Sequence, residues 1–406
     1  AVERERDPDG FWARKASDLG VPEMAAELIE EIPDDSAREG LRELIGAIGK
    51  QGIGLVSQDS REQILRNVAL TGPLAAGGVN ALINMTLFLT YGAPDPETGR
   101  NPNWATLGYS GPISPPPDVP KTLRIHEPKA PEEALEADVC VVGSGAGGAV
   151  LAAGLAAAGL DVIVLEASGY FNESDFNQLE LPAYQRMFWR GGPNPTADGN
   201  VSLVAGTTLG GGTTINWTNC LRTREWVREE WARKHGLEGV DGPDFDRHLD
   251  AVMQRIGVTD ACSELNGPQQ RMREGAEARG WHTETIARNT DPSSYSPESA
   301  AFLGFGDQSG SKRSADRTWL ADAQERGARF LVADGRAAGG EAEWAPPAGG
   351  GANVTVRAPR VVVSCGSLES PALLARSGIG GPAAGDFLRL HPCSAVGALY
   401  GSDQRA

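Results

Sequence analysis

The chain has 406 residues and a formal net charge of -17. A length of this order gives about two to three domains as the prior and allows a sizeable core. The acidic balance argues against a nucleic-acid partner, which needs basic contacts, and against broad electrostatic attachment to anionic lipid.

Residues 1–92 are expected to form a helical domain. Met24, Leu28, Ile29 and Ile32 recur near helical spacing, and so do Leu41, Leu44, Ile45 and Ile48. Pro33, Asp34, Asp35 and Ser36 offer a turn and caps between them. A third helix follows Asp59 and Ser60 through Ile64, Leu65, Val68 and Leu70. A fourth covers residues 79–90 and is more apolar. The plainer reading of this region is an ordinary helical domain. The sharper one is a face that guides substrate or lies on a membrane as a peripheral contact. Asn80, Asn84 and Thr86 interrupt the apolar stretch 79–89, which is too short and too polar to span a bilayer, so no transmembrane segment is expected. The start, AVERERDPDGFW, has no apolar leader, and the expected location is cytoplasmic. Residues 93–130 are dense in Pro and Gly without any period. They read as an extended connector, pinned by Trp104 and Tyr109.

Residues 131–406 hold the main domain. Residues 137–166, ADVCVVGSGAGGAVLAAGLAAAGLDVIVLE, read as strand, glycine turn, helix, strand. Gly143, Gly145 and Gly148 give G-x-G-x-x-G directly after a Val-rich run. Gly143 suits the tight turn. Gly145 admits a pyrophosphate to the backbone, and Gly148 lets the helix lie close to the strand. The amides and dipole of the helix N-terminus attract phosphate. Glu166 ends the second strand, 18 residues past Gly148 and near the roughly 20 at which an acid accepts ribose hydroxyls. That acid favours FAD or NAD over NADP.

Further on, Gly210, Gly211 and Gly212 stand together among Thr207, Thr208, Thr213 and Thr214. Backbone there can approach a phosphate or a flavin edge, and Asn216 offers donors and an acceptor to the same edge. A plain Gly/Thr hairpin turn is the equal alternative. Residues 225–330 read as a partly substrate-side insertion. Within it, residues 226–235 and 241–253 form amphipathic helices, with Asp241 or Asp244 as start signals. His235 and His248 fall on their solvated faces. Residues 304–311, GFGDQSGS, read as a flexible loop before a helix through Thr318, Trp319, Leu320 and Ala323. The run VVVSCGSLESPALLARSGIG is again strand, Gly turn, helix, and should return the chain to the parallel sheet. Of the five cysteines, Cys140 and Cys365 lie in apolar strand-like runs and read as buried reduced thiols. No C-x-x-C occurs, no residue cluster has ligand spacing, and no metal is expected.

Residues 137–166, 209–219 and 366–380 together resemble the glucose–methanol–choline (GMC) family of FAD-dependent oxidoreductases. NPNWATLGYSGP, FNQLELPAYQR and GFGDQSGSKRS are similar to its long-chain alcohol oxidase branch. The resemblance implies an α/β fold: an FAD-binding, Rossmann-like GMC-type domain with an N-terminal helical domain and an incomplete substrate domain. It implies oxidation of an alcohol, long-chain or otherwise apolar, to an aldehyde by hydride transfer to flavin N5. Oxygen or another acceptor then takes the electrons. By the same resemblance Gly143, Gly145, Ala146, Gly148 and Glu166 hold the ADP half of FAD. Gly210, Gly211, Gly212, Asn216 and Thr218 lie by the pyrophosphate and flavin, and Cys365 and Gly366 by the adenosine.

The family's general base is a histidine in a motif like H-x-x-G-x-x-R-M-G. His126, His235, His248, His282 and His391 all stand outside such a motif. The base and the C-terminal catalytic segment are therefore expected beyond this chain. Two alternatives stay open: a flavin-binding fragment or subunit that acts with a partner, and a flavin lyase or photoenzyme of the same type.

Overall fold

A computed structural model of the chain describes residues 10–32, 35–196, 201–332, 343–344, 353–391, 398 and 401. The chain divides into two compact units, residues 1–115 with 177–205, and residues 116–176 with 206–406. The expected boundaries near 92 and 130 differ from this division. The turn expected at Pro33 and Asp34 lies outside the described residues.

The first unit is built on α1 (Val21–Glu30), α2 (Asp35–Lys50), α3 (Gln58–Ala69) and α4 (Pro73–Gly92). Ser57 caps α3 by accepting the Ser60 amide, which satisfies one donor of the open first turn. Pro73 opens α4, where its missing N–H costs nothing. Val79 of α4 packs with Ile48 and Val68, and Leu89 packs with Val21 and Ala93. The apolar stretch taken from the sequence as too short to span a bilayer needs correction. The helix runs 20 residues, long and apolar enough to cross a membrane by length and composition. The sequence reading stopped at the glycines and alanines of 75–78, which the helix simply includes. The connector is anchored at the end of α4. Asn101 Nδ2 donates to the carbonyls of Thr90 at 2.9 Å and Ala93 at 2.7 Å. Trp104 Nε1 donates to Tyr91 O at 2.7 Å, and its ring meets Tyr109 edge-on.

The strands of the two larger sheets in the second unit are β1 (Glu132–Glu136), β2 (Val139–Val142), β3 (Val162–Glu166), β4 (Arg329–Val332), β5 (Glu343–Trp344), β6 (Asn353–Arg357) and β7 (Arg360–Val363). A four-stranded parallel sheet has the order β7-β2-β3-β4, and a smaller sheet has the order β1-β6-β5. Val139 pairs with Val162 on one side and Arg360 on the other. The two central strands, β2 and β3, are covered on both faces, so they are apolar along nearly their whole length rather than alternating. On one face lies α5 (Ala146–Ala157). Its buried Ala149, Ala152, Ala153 and Ala156 meet Val139, Val141, Val162, Val164 and Phe330. The spacing of those alanines puts them on one helix face, and their small volume lets the helix approach closely. On the other face Val354 and Val356 of the small sheet close over Cys140, Ile163, Leu165 and Leu331.

The helices α6 (Glu225–His235), α7 (Pro243–Arg255), α8 (Gly267–Glu277) and α9 (Trp319–Glu325) follow, and α10 (Gly366–Arg376) succeeds β7. Helix α7 begins after Gly242 with Pro243 at its first position and no side-chain cap. Neither Asp241 nor Asp244 caps it, because the proline already starts the turn. Helix α8 lies inside the insertion expected at 225–330, beyond the two helices expected there. Asn266 and Gln269 form a reciprocal capping box at its start, a signal present in the sequence. Arg255 grips Asp322 with two hydrogen bonds of 2.8 and 2.7 Å, tying α7 to α9.

Ala152 has no exposed surface in the layer between α5 and the sheet. Ala152→Leu should destabilise the fold by about 1–3 kcal/mol through overpacking. A urea midpoint equal to that of the unaltered protein would show that this layer is loose.

Candidate cofactor site

Three turns meet at the carboxyl end of the parallel sheet, the place where open α/β sheets bind ligands. The first follows β2 at residues 143–145. Gly143 has φ +98°, and a Cβ there would lie 2.4 Å from Ser364 O, so the third turn, after β7, packs directly on it. Gly148 also permits a close approach, since a Cβ on it would lie 2.0 Å from Gly143 O. The tightness needed at Gly148 is against the turn itself. The second turn is residues 208–212. Gly211 has φ +57°, and a Cβ there would come within 2.8 Å of Gly145 Cα. Two glycine turns thus touch backbone to backbone.

The side of these turns away from the protein is open. A Cβ on Gly147, Gly212 or Gly366 would meet nothing within 4 Å, and one on Gly145 only Gly211 Cα at 3.9 Å. Gly145 is the N-cap of α5 and supplies no side chain to its first amides. Ala146 is the first helical residue. Bare amides at the positive end of a 12-residue helix, with glycines clearing the approach, fit the pyrophosphate of a dinucleotide.

Ser144 joins the first two turns, a role the sequence reading missed. Its hydroxyl donates to Glu166 Oε2 and accepts the Gly210 amide at 3.0 Å. Its own amide donates to the same Glu166 oxygen at 3.0 Å. Glu166 Oε1 accepts the Ala167 amide at 2.9 Å. The carboxylate is thus turned toward its own turn, and only 8% of the residue is exposed. Burial pushes its carboxyl above the ordinary range, and the donors from Ser144, Ala167 and Ser168 pull it partly back. A carboxylate has about four lone-pair sites, and these four donors already match that number, so a ribose hydroxyl would share or displace one of them.

In the third turn Ser364 N donates to Val142 O at 2.7 Å, and Cys365 Sγ lies 3.3 Å from the same carbonyl. Burial, with the charge of Glu166 behind it, pushes the Cys365 thiol up to about 11. Cys140, fully buried within β2, is pushed up to about 12. Both are poor nucleophiles, because the thiolate is the reactive form.

The second turn continues into one helical turn, Gly212–Ile215, and then Asn216 and Thr218. Asn216 is exposed and Thr218 fully buried. Thr218 has φ +64°, a conformation that strains a β-branched residue. Asn216 Oδ1 accepts the Thr218 amide at 3.2 Å, and the Asn289 amide donates to Thr218 O at 3.1 Å. Under this segment sits Lys312, which the sequence did not single out as functional. Its Nζ donates to the carbonyls of Thr214 at 2.7 Å, Asn216 at 2.8 Å and Leu303 at 2.7 Å. Residues 304–311, read from the sequence as a flexible loop, are wound around the Asp307 carboxylate. It accepts the Ser309 amide at 3.0 Å, the Ser311 hydroxyl at 2.9 Å and the Lys312 amide at 2.6 Å. Burial brings Lys312 down to about 7, against the pull of Asp307 and Asp316, and brings Asp316 up to about 6. A cavity of about 20 Å³ lies against Thr214, Asp307, Lys312 and Asp316, room for one water.

The residues expected at the cofactor lie on these three turns, at the start of α5 (Ala146, Gly148), at the end of β3 (Glu166) and on the segment leading from the second turn (Asn216, Thr218). The five histidines do not gather there. His126 Nε2 is 3.2 Å from Glu133 Oε2, and His235, His248, His282 and His391 are exposed.

Residues 184–393, more than half of the chain, match the GMC oxidoreductase family. The chain belongs to that family, and its cofactor is FAD. It is 36% identical to the long-chain-alcohol oxidase FAO4B of Arabidopsis thaliana, over 64% of this chain and 36% of the relative. To FAO4A of the same plant it is 28% identical, over 94% of this chain and 63% of the relative. The chain thus spans between about a third and two thirds of these relatives. Among solved structures, a formate oxidase of Aspergillus oryzae aligns at 16% identity with a TM-score of 0.40, covering 61% of this chain and 48% of that one.

Ser144→Ala removes one donor to a buried carboxylate and the acceptor of the Gly210 amide. The loss should be about 1.5–3 kcal/mol of stability. A carboxyl raised by folding contributes stability that is complete below its unfolded pKa and lost as pH rises through the folded one. Without Ser144 the folded value moves higher, so the variant should lose more stability than wild type between acidic and neutral pH. Parallel stability–pH curves for the two proteins would contradict this role.

Proposed function

We propose that the chain is the cofactor-binding part of an FAD-dependent alcohol oxidoreductase, acting on a long-chain or otherwise apolar alcohol and yielding the aldehyde. The observation that carries this reading is the meeting of the turns at 143–148, 208–212 and 364–366 around one open cleft edge. Its support in kind is the likeness to relatives named long-chain-alcohol oxidases. Bound FAD supplies an acceptor for hydride. The residues of this chain bind and orient it: α5 offers its first amides, Ser144 and Glu166 hold the turn beneath, and Asn216 presents its amide outward. Electrons pass on to oxygen or another acceptor.

A second reading, a flavin-binding chain that works with a partner, draws on the histidines. Four are exposed and the fifth is engaged with Glu133, and this reading takes the proton acceptor from the partner. Peripheral membrane contact of the helical unit is a further part of the proposal. It draws on Leu55, Leu70 and Leu74, each more than four-fifths exposed. Sedimentation with phosphatidylcholine vesicles tests it, and protein left wholly in the supernatant counts against it.

Purified full-length protein should carry a visible flavin spectrum that bleaches on anaerobic addition of a fatty alcohol. Folded protein that stays colourless after incubation with FAD would overturn the proposal. Gly145→Val should remove flavin from folded protein, because its side chain would stand where the pyrophosphate approaches the backbone. Unchanged flavin content in that variant would refute this placement.

A further inference from the structure

We propose that Lys312 is a positioning residue: a buried ammonium latch that holds the strained segment 214–218 in the shape in which it faces the cofactor. The inference rests on the FAD reading above and names what keeps that part of the site in place. The three N–H bonds of an ammonium match the three carbonyls of Thr214, Asn216 and Leu303. A neutral amine has only two N–H bonds and would leave one carbonyl unmet. The residue is 2% exposed, so its side chain is built into the structure and does not wander among surface partners. Two of the three carbonyls flank Ile215, at the end of the one-turn helix. The third belongs to Leu303, in the segment next to the loop wound around Asp307.

The second, independent observation is the backbone of Thr218. A buried β-branched residue at φ +64° persists only where its surroundings over-determine it. Asn216 is fixed from both ends: its carbonyl by Lys312 and its side chain by the Thr218 amide. Trp217, between them, leans on Gly304, where a Cβ would lie 3.0 Å from its ring. Asn216 and Trp217 are thus both held against the 303–312 segment, and Asn216 stays exposed. Without the latch, relaxation at Thr218 would swing Asn216 away.

The test compares full-length wild type, Lys312→Met and the double variant Lys312→Met/Thr218→Gly. Hydrogen exchange of peptides covering residues 209–219 and the FAD dissociation constant are both measured. In Lys312→Met, protection in 209–219 should fall and the FAD dissociation constant should rise, each by about tenfold or more, the equivalent of one hydrogen bond to a charged group. Protection in residues 139–142 and 162–166 should stay as in wild type. Glycine takes φ +64° without strain, so the double variant should regain most of both losses. Unchanged exchange in 209–219, or a double variant that regains neither property, overturns the proposal. So does failure of both variants to fold, since Lys312 would then support the whole unit. Wild-type protein that binds no FAD would instead sink the functional reading, and the exchange comparison would still decide the latch.

Discussion

The cofactor site depends on one hydroxyl. Ser144 Oγ donates to a buried carboxylate and accepts an amide from a turn 66 residues further along the chain. Remove it and the Gly210 amide loses its acceptor, while Glu166 is left with its backbone donors alone. Each such loss costs more than the bond itself is worth, because desolvation is no longer offset. The parallel register sets this up. Val142 pairs with Leu165, so Gly143 and Ser144 leave the sheet beside Glu166. The glycine at 210 then brings only backbone to the contact, which is why its amide can reach. What the open side of the cleft presents to a cofactor is the reverse face of that contact.

The cofactor half of the fold was legible because its chemistry is backbone chemistry. Gly143 and Gly211 each stand where a side chain would collide with another turn, and Gly148 where it would collide with the turn that opens its own helix. Such positions announce themselves in a sequence as glycine. The alanines of α5 are legible for a related reason, since a helix lying close on a sheet has room for little else. The return of β7 to the parallel sheet was legible in the Val-rich run before Cys365, strand-like in composition although this edge strand is only partly covered. The helix at Pro73–Gly92 was shortened in the reading because its first turns are Gly and Ala, which carry no apolar period.

Ser144 and Lys312 were not legible, for a different physical reason. Each acts through contacts distant in sequence: Lys312 reaches Thr214 across 98 residues. No local pattern distinguishes a lysine that caps three carbonyls from one that sits in water. Its neighbours are Gly and Ser, the composition of a mobile loop. The loop is instead ordered by Asp307, whose short side chain takes hydrogen bonds from residues two to five positions later. Asn266 and Gln269 are the contrasting case, a local cap written in the sequence and passed over.

The placement of Glu166 decides how the two halves of its expected role fit together. A carboxylate held for ribose alone would be left free until the ligand arrived, and burial would then drive it toward the neutral acid. Donors from Ser144, Ala167 and Ser168 oppose that drift. The same residue therefore sets the shape of the glycine turn, and a ribose hydroxyl would have to share or displace one of these donors. Lys312 follows the same logic with the sign reversed. Its charge is met by carbonyl dipoles at Nζ, with Asp307 and Asp316 further off. In both turns a buried charge is spent on backbone geometry, and the groups left over at the surface are amides, which suit a ligand carrying phosphates at one end and a polar ring edge at the other.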